Sequence, residues 1–343
     1  MADNGNNRVL IFDSPWVTGQ SATVVLGQVD FTSLAPATTS TGLSGTANAI
    51  TDAQGNAWIS DSQNSRVLQY KPPFTTAMAA SVVLGQASFT TNVLSMSPNG
   101  LAFPHGMAFD KSGNLWVADS YNSRVVEFIP PFISGMASAL ALGQNGNGTG
   151  GCTTNGFGLC YPTDLAFDAQ GNLWIVDNGN NRVLKYDAPF VPGQSPATVL
   201  GQANFTAVAP AAGARGLDNP SGIAIDATGN LWVSDGLNWR VLEFSPPFSN
   251  GQAATLVLGS PDFTATVNTD PQSKMGNPRG VAFDRDGNLF VADLNAPRVM
   301  VFAPPFSSGM EASKVIGQPT FSSVGSLTTA SGLWNPVGLH ISF

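Results

Sequence analysis

Residues 104–144 read PHGMAFDKSGNLWVADSYNSRVVEFIPPFISGMASALALGQ, and this stretch decides the fold. Two short apolar runs, Gly106–Asp110 and Leu115–Asp119, are separated by a glycine-containing turn. After a second turn, Arg124–Phe128 alternates like a strand, and Ala137–Leu142 supplies a fourth run. No part of the unit has the roughly ten or more residues of helical periodicity that a helix requires. The stretch therefore predicts four short antiparallel strands.

The same unit recurs every 58 residues along the chain. Arg–Val pairs begin at Arg8, Arg66, Arg124, Arg182, Arg240 and Arg298, and an aspartate lies five positions before each. Glycines from Gly27 onward and prolines from Pro15 onward keep this period without an insertion or deletion. One four-stranded sheet cannot bury both faces alone, so six copies must stack on one another. We predict an all-β, six-bladed β-propeller of four-stranded antiparallel blades.

The six copies predict one propeller domain over residues 1–343. Pro336–Ile341 is a first strand with no strand after it, whereas the N-terminal copy lacks a first strand. One C-terminal and three N-terminal strands would therefore close the ring and remove its free edges. The closing blade would comprise 334–343 with 1–28, and the other blades would span about 44–86, 102–144, 160–202, 218–260 and 276–318. Because five residues are missing from six full repeats at this seam, we also expect the chain to be a segment of a longer parent.

Composition narrows the class of partner. The net charge of −8 argues against a nucleic-acid partner, which would require a basic surface. No apolar run is long enough for a membrane span, and the polar start of the chain does not resemble a signal peptide. Two histidines and two cysteines leave little material for a transition-metal site. We expect a monomer without a membrane span.

Three motifs within one copy resemble the NHL repeat: Pro220–Asp226, Gly229–Asp235 and Asn238–Leu242. The Pro72-Pro73-Phe74 turn and the Val83–Gln86 ending resemble in particular those of extracytoplasmic bacterial NHL proteins. The resemblance implies the six-bladed fold and a periplasmic or secreted location. It does not imply one function, because this architecture hosts sensors, scaffolds, binding domains and a few lyases and hydrolases.

Repeated charges and aromatic rings are interpreted as structural. The Asp/Arg pair of each copy, such as Asp119 and Arg124, would brace the second turn by a charge-assisted and bidentate contact. The aspartates that begin the Gly-Asn turns are typical turn residues. Trp58 and its equivalents on the second strand would fill the gaps between adjacent blades.

Departures from the repeat are better candidates for a functional site. The two positions after the repeat proline vary around the ring and would lie at the mouth of the central channel. Their polar members form a candidate ligand-binding rim: Asn48, His105, Thr163, Asp164, Ser221 and Arg279. Convergent, asymmetric polar groups of this kind suit a small-molecule site. The alternative is that these positions are merely solvated and free to vary.

Catalytic chemistry finds less support in the residues. His105 and His340 occupy different registers, so a three-histidine zinc site of the amidating-lyase kind cannot be assembled. Asn48 and Asp164 offer two oxygen ligands, whereas calcium takes about six to eight. We expect no resident cofactor, with calcium the one ion left open. Ser221 lies two blades from His105, which argues against a serine nucleophile with a histidine base.

Two further features belong to the same face of the ring. Cys152 and Cys160 would close a short loop as a disulfide, which fits an oxidising compartment; two free thiols are the alternative. Tyr121 and Trp239, in second turns, would stack on sugar rings or anchor a protein, or else pack onto the blade tops. Trp239 is the best candidate for an exposed ring, because its equivalents are small, polar or proline.

These observations favour a non-catalytic binding or scaffold propeller. Its ligand would be a protein, peptide or glycan held by the face of inter-blade linkers and second turns. The alternative is a metal-dependent lyase or hydrolase with a site at the channel mouth around Asn48, His105 and Asp164.

Overall fold

Each repeat folds into one antiparallel sheet whose strands follow one another along the chain. The structure is a computed structural model that describes residues 1–144, 151–154, 158–264 and 269–342. Blade 1 has strands Thr46–Thr51, Ala57–Asp61, Arg66–Tyr70 and Val82–Leu84; blade 2 has Pro104–Phe109, Leu115–Asp119, Arg124–Phe128 and Leu140–Leu142; blade 3 has Pro162–Phe167, Leu173–Asp177, Arg182–Tyr186 and Thr198–Leu200; blade 4 has Pro220–Ile225, Leu231–Asp235, Arg240–Phe244 and Leu256–Leu258; blade 5 has Pro278–Phe283, Leu289–Asp293, Arg298–Phe302 and Lys314–Ile316. The predicted all-β, six-bladed propeller is confirmed.

The sixth sheet, the closing blade, joins the two ends of the chain. Its strands are Ala2–Asp3, Arg8–Ile11 and Val24–Leu26. The C-terminal segment adds to the edge through a bridge between Asp3 and Pro336. The N–H of Val337 donates to the carbonyl of Ala2 at 3.1 Å, and the N–H of Ala2 donates to Gly338 at 2.8 Å. The segment thus takes the place of a first strand, although its pairing is shorter than that of the other blades.

The predicted strands of residues 104–144 agree with blade 2 at its second and third strands. The first strand begins two residues earlier, at Pro104, and the fourth starts only at Leu140. In the first strand, the register with the second strand shifts between Pro104 and Met107. This irregularity recurs in blades 1 to 5 and redirects the side chains at the strand's start. Short 3-10 turns follow four second strands: Asn4–Asn6, Ser62–Asn64, Asn178–Asn180 and Gly236–Asn238.

Aromatic side chains fill the space between neighbouring blades, as predicted. Trp58 of blade 1 is fully buried and packs edge-on against Phe109 and Phe132 of the following blade. The indole N–H of Trp58 also donates to Asp52 Oδ2 at 2.9 Å. The turn aspartate therefore satisfies the buried indole as well as its own turn, a role that the turn pattern alone did not reveal.

A buried Asp–Arg pair in each blade binds the neighbouring linker, and in blade 1 it binds the linkers on both sides. In blade 1, Arg66 Nε lies 2.6 Å from Asp61 Oδ2, and both side chains are fully buried. The contact uses Nε alone, which corrects the expected bidentate pairing. The two terminal nitrogens of Arg66 are free to donate to linker carbonyls instead: Nη2 to Gly42 at 3.0 Å, before the blade, and Nη1 to Phe89, after it. The pair is therefore part of the blade-to-linker framework, as the sixfold repetition indicated.

The helical content among the described residues is confined to single 3-10 turns. None of them is long or apolar enough to span a lipid bilayer.

Candidate functional site

The first strands of neighbouring blades contact one another around the central channel. A cavity of about 300 Å³ lies at the end of this channel where those strands begin. Its lining comes from every blade and includes Asn4, Ala47, Asn48, His105, Gly106, Thr163, Asp164, Ser221, Arg279, Gly280, Asn335, Val337 and Gly338. All six polar residues predicted for the rim therefore line one cavity. Its volume is at the lower end of the range for small-molecule sites.

Glycines let the first strands approach closely at this level. A Cβ on Gly222 would lie 2.1 Å from the carbonyl oxygen of Arg279, and one on Gly280 would lie 2.4 Å from that of Val337. Asn48 and Asp164 are the two residues that replace glycine in this register. Each is adjacent to a glycine of the neighbouring blade that makes room for it; a Cβ on Gly106 would lie 2.3 Å from Asp164 Oδ1. Asn48 and Asp164 are thus the only two residues of this register that carry a side chain beyond Cα.

Asp164 carries a carboxyl group without a cationic partner among the described residues. Its Oδ2 accepts the N–H of Ile223 at 3.1 Å. Burial raises the pKa of Asp164 to about 7, although hydrogen bonds from the N–H groups of Ile223 and Leu165 oppose the rise. The group therefore changes its charge near neutral pH.

Arg279 lies in the same cavity and is equally uncompensated. It belongs to none of the ion pairs in the described part of the chain. Its guanidinium makes one weak hydrogen bond there, from Nη1 to Asn219 Oδ1 at 3.5 Å. Burial lowers its pKa, but a guanidinium stays charged under any physiological condition. The cavity therefore contains a permanent positive charge.

The other polar groups of the rim are neutral or already bonded. Burial, together with the nearby charge of Arg279, lowers the pKa of His105 to about 4, so its imidazole is uncharged at pH 7. Ser221 Oγ donates to the carbonyl of Pro278 at 2.9 Å, and Asn48 Oδ1 accepts the N–H of Ala49 at 2.7 Å. Because the Ser221 hydroxyl is held by a carbonyl rather than by a base, the site does not resemble an activated nucleophile.

The described residues of the cavity do not form the ligand set of a zinc or a calcium site. Within the described residues, no three His, Cys, Asp or Glu side chains converge in a group that could hold an ion. His340 lies away from His105 and pairs with the hydroxyl of Thr51 at 2.7 Å. A single imidazole does not make a zinc site, and the oxygens of Asn48 and Asp164 fall short of a calcium shell.

A second cavity, of about 570 Å³, lies further along the channel. Its walls are mostly apolar, with Ile50, Met107 and Leu165 among them, and it also contains His340. Asn48 and Asp164 line both cavities. These two side chains therefore lie where the two cavities meet.

The predicted aromatic residues lie outside the cavity. Tyr121 is exposed and contacts Phe103 and Tyr161, with ring centroids 5.7 and 6.2 Å away. Phe103 and Tyr161 immediately precede the strands that carry His105 and Thr163, so this aromatic patch borders the mouth. Trp239 is 44% exposed, as predicted. Whether Tyr121 or Trp239 contacts a ligand stays a prediction.

Two further polar residues, which the repeat pattern did not single out, complete the mouth. Asn219 contacts Arg279, and Asn335 lines the cavity. Both precede the repeat proline, at a position that holds glycine, phenylalanine or tyrosine in three other copies. Comparing this position around the ring would have identified them.

Cys152 and Cys160 form a disulfide. The N–H of Cys160 donates to Asp177 Oδ1 at 2.6 Å, so the bridge is tied to the buried ion pair of blade 3. Residues 155–157 of the intervening loop lie outside the described residues.

The titration of Asp164 predicts a pH-dependent stability. Because its pKa of about 7 in the folded protein exceeds the ordinary value of 3.8, the folded state binds the proton more tightly. The free energy of unfolding contributed by Asp164 therefore falls as pH rises from 3.8 to about 7 and is constant above that. Relative to wild type, Asp164→Asn should gain on the order of 2 kcal/mol between pH 4 and pH 8, a figure reduced because the cavity admits solvent.

Urea unfolding of both proteins across this pH range measures the difference. Subtraction cancels the other titratable and charged groups that line the two cavities, namely His105, Arg279, Asp226, Asp284, Arg285 and His340. If the difference in the free energy of unfolding between the two proteins does not change with pH, the pKa of Asp164 is the same in the folded and unfolded states.

Comparisons with known proteins agree with this architecture. The NHL repeat model matches residues 101–128 and 159–186. Peptidyl-glycine alpha-amidating monooxygenase A of Xenopus laevis is 29% identical over 143 residues, 41% of this chain and 14% of that protein. A probable peptidyl-alpha-hydroxyglycine alpha-amidating lyase of Caenorhabditis elegans is 25% identical over 269 residues, 72% of this chain and 64% of that protein. The matches thus span less than two thirds of either relative.

A solved gluconolactonase from Xanthomonas campestris is similar at 19% identity and a TM-score of 0.49, covering 81% of this chain and 75% of that one. The six blades and the match to the NHL repeat model together define the class of protein. The chain is a six-bladed β-propeller that carries NHL repeats.

Proposed function

We propose that the chain is a non-catalytic binding propeller that recognises a protein, peptide or glycan on its face of linkers and second turns. The cavity at the channel mouth would hold an acidic group of that ligand. The observation that carries this proposal is Arg279, a charged side chain in a cavity formed by all six blades, which forms no ion pair among the described residues.

The energetics support an anionic ligand. Withdrawing a guanidinium from water costs free energy unless an opposite charge or several hydrogen bonds replace the lost hydration. Asn219 supplies one long contact only. A carboxylate would supply the missing charge and accept two parallel hydrogen bonds, the geometry for which a guanidinium is suited. The aromatic patch of Phe103, Tyr121 and Tyr161 would extend the contact surface beside the mouth.

An enzymatic role has less support in the site. The two relatives above bear names of amidating enzymes, but the cavity has neither their expected zinc ligands nor a base held against a hydroxyl nucleophile. We therefore keep the lyase or hydrolase as an alternative that no specific contact favours.

Removing the positive charge should weaken binding of acidic ligands. Charge-assisted hydrogen bonds are worth about 1.5–3 kcal/mol, so Arg279→Gln should lose roughly 10- to 150-fold in affinity. Arg279→Lys should recover only part, because an ammonium keeps the charge but not the paired donors. The measurement is fluorescence anisotropy with labelled glutamate-rich peptides, against the same peptides with each glutamate replaced by glutamine.

The matched control is Lys71→Gln, which removes one positive charge from an exposed position outside the cavity. It should leave affinity within about twofold, since exposed charges are screened. Equal losses in both variants, or peptides that bind regardless of charge, would rule out the cavity as the acid site.

We also propose an extracytoplasmic location. It is supported by the Cys152–Cys160 disulfide, because disulfides persist mainly in oxidising compartments.

A further inference from the structure

The mouth cavity contains two opposite charges that do not pair with each other. Arg279 forms none of the described ion pairs, and no described cation contacts the carboxyl group of Asp164. Both side chains nevertheless line the same 300 Å³ space. A protein that needed these residues only for its own stability would gain by joining them.

The backbone explains why they stay apart. The first strand of blade 4, Pro220–Ile225, lies between them. On one side, Asp164 Oδ2 is held by the N–H of Ile223. On the other, the carbonyl of Arg279 accepts from Ser234 Oγ and packs onto the bare Cα of Gly222. Hydrogen bonds thus fix Asp164 by its side chain and Arg279 by its backbone, on opposite sides of one strand.

The other polar groups that line the cavity are neutral. His105 shares the cavity with Arg279 and is uncharged at pH 7, because burial and that guanidinium lower its pKa to about 4. Ser221 is committed to the carbonyl of Pro278. Nothing else among the described lining residues carries a charge. The cavity therefore presents one negative and one positive pole across a neutral gap.

We infer that the channel mouth binds a zwitterionic group, with its carboxylate on Arg279 and its ammonium on Asp164. This inference rests on the proposed function and specifies its ligand chemistry. Binding would compensate both half-buried charges at once, whereas an acid alone leaves Asp164 unpaired and an amine alone leaves Arg279 unpaired. The volume suits a free amino acid or a neighbouring lysine and glutamate at the tip of a peptide.

Calorimetry on the full chain at pH 8, where Asp164 is ionised, tests the inference. The zwitterionic probes are glycine, β-alanine and γ-aminobutyrate. Each is compared with an acid and an amine of matched length: acetate and methylamine for glycine, propionate and ethylamine for β-alanine, and butyrate and butylamine for γ-aminobutyrate. A lysyl-glutamate dipeptide blocked at both ends distinguishes a peptide-borne zwitterion from a free amino acid. At least one zwitterion should bind at least tenfold more tightly than its matched acid and amine.

The tighter binding of the zwitterion should depend on both Asp164 and Arg279. Asp164→Asn retains an oxygen for the N–H of Ile223 but loses the charge, so the zwitterion should fall to the affinity of the acid. Arg279→Gln should reduce it to the affinity of the amine. Asp286→Asn, an exposed turn residue outside the cavity, is the matched control and should change nothing. Thermal melts of each variant confirm folding.

Two results would overturn the inference in different ways. If acids bind as tightly as zwitterions and Asp164→Asn has no effect, the zwitterion site is refuted while the acid site of the proposed function stands. If neither these probes nor glutamate-rich peptides bind, both proposals fail.

Discussion

Asp61→Ala is expected to lower the free energy of unfolding by about 3–5 kcal/mol, because it leaves a buried arginine charge without its partner. Asp61 Oδ2 contacts Arg66 Nε at 2.6 Å and accepts from Asn64 at 2.9 Å, while its Oδ1 accepts the N–H of Ser44 at 2.6 Å. All of these contacts are buried, so water cannot replace them.

Arg66→Ala should cost less than Asp61→Ala. Burial already raises the pKa of Asp61 to about 6 against the opposing charge of Arg66. Without Arg66, the carboxyl group can take up a proton and become neutral, whereas an orphaned guanidinium cannot lose one. The gap between the two variants should therefore narrow at high pH, where protonating the carboxyl group costs more.

Chemical denaturation at pH 5 and pH 8 measures both effects. The matched control is Lys185→Ala, which breaks the partly exposed Lys185–Asp187 pair at 2.9 Å and should cost at most about 1 kcal/mol. If Asp61→Ala costs no more than this control, the pair does not hold the linkers and the description of the blade framework is wrong.

Trp232→Ala is expected to cost about 3–5 kcal/mol, the range for removing a large buried aromatic side chain. Trp232 is fully buried between blades 4 and 5, with its ring centroid 5.8 Å from Phe283 and 4.9 Å from Phe306. Its N–H donates to Asp226 Oδ2 at 3.1 Å. The change would leave a cavity between two sheets and remove one of the hydrogen bonds that Asp226 Oδ2 accepts, while the one from Asn230 at 2.9 Å remains.

Trp232→Phe should cost only about 1 kcal/mol, because it keeps a ring and loses one hydrogen bond. Phe290 occupies the equivalent position of blade 5 and packs on Trp16 with centroids 5.4 Å apart. The control is Trp239→Ala, which should change stability by less than about 0.5 kcal/mol because that ring is exposed. Thermal unfolding that ranks the three variants differently would contradict the assigned packing.

The repeat period made the fold predictable. Identical spacing of Asp, Arg, Gly and Pro gave the number of blades, the strands Leu115–Asp119 and Arg124–Phe128, and the ring's closure. It also placed the six polar rim residues at one level of the channel, because equivalent positions in a ring of blades must face the same axis. The positions at which the copies differ therefore predicted which residues line the cavity.

The chemistry of the cavity was not predictable in the same way. That Arg279 and Asp164 remain unpaired depends on the irregular start of each first strand and on Gly222, which together set the direction of each side chain. The role of Asp52 toward Trp58 was hidden because turn chemistry already explained that aspartate. Periodicity locates a residue around the ring but does not determine which groups it will contact.

The contacts between each arginine and the linkers also explain why the five continuous copies have the same length. In the five copies that do not cross the seam, Nη2 donates to the carbonyl 24 residues earlier in the chain, and Arg8 makes the equivalent contact to Gly332 across the seam. An added or deleted residue would pull that carbonyl away from the guanidinium, whereas a changed side chain at the channel mouth would not. The guanidinium therefore restricts the length of each linker, and the continuous copies differ in their side chains rather than in the number of residues.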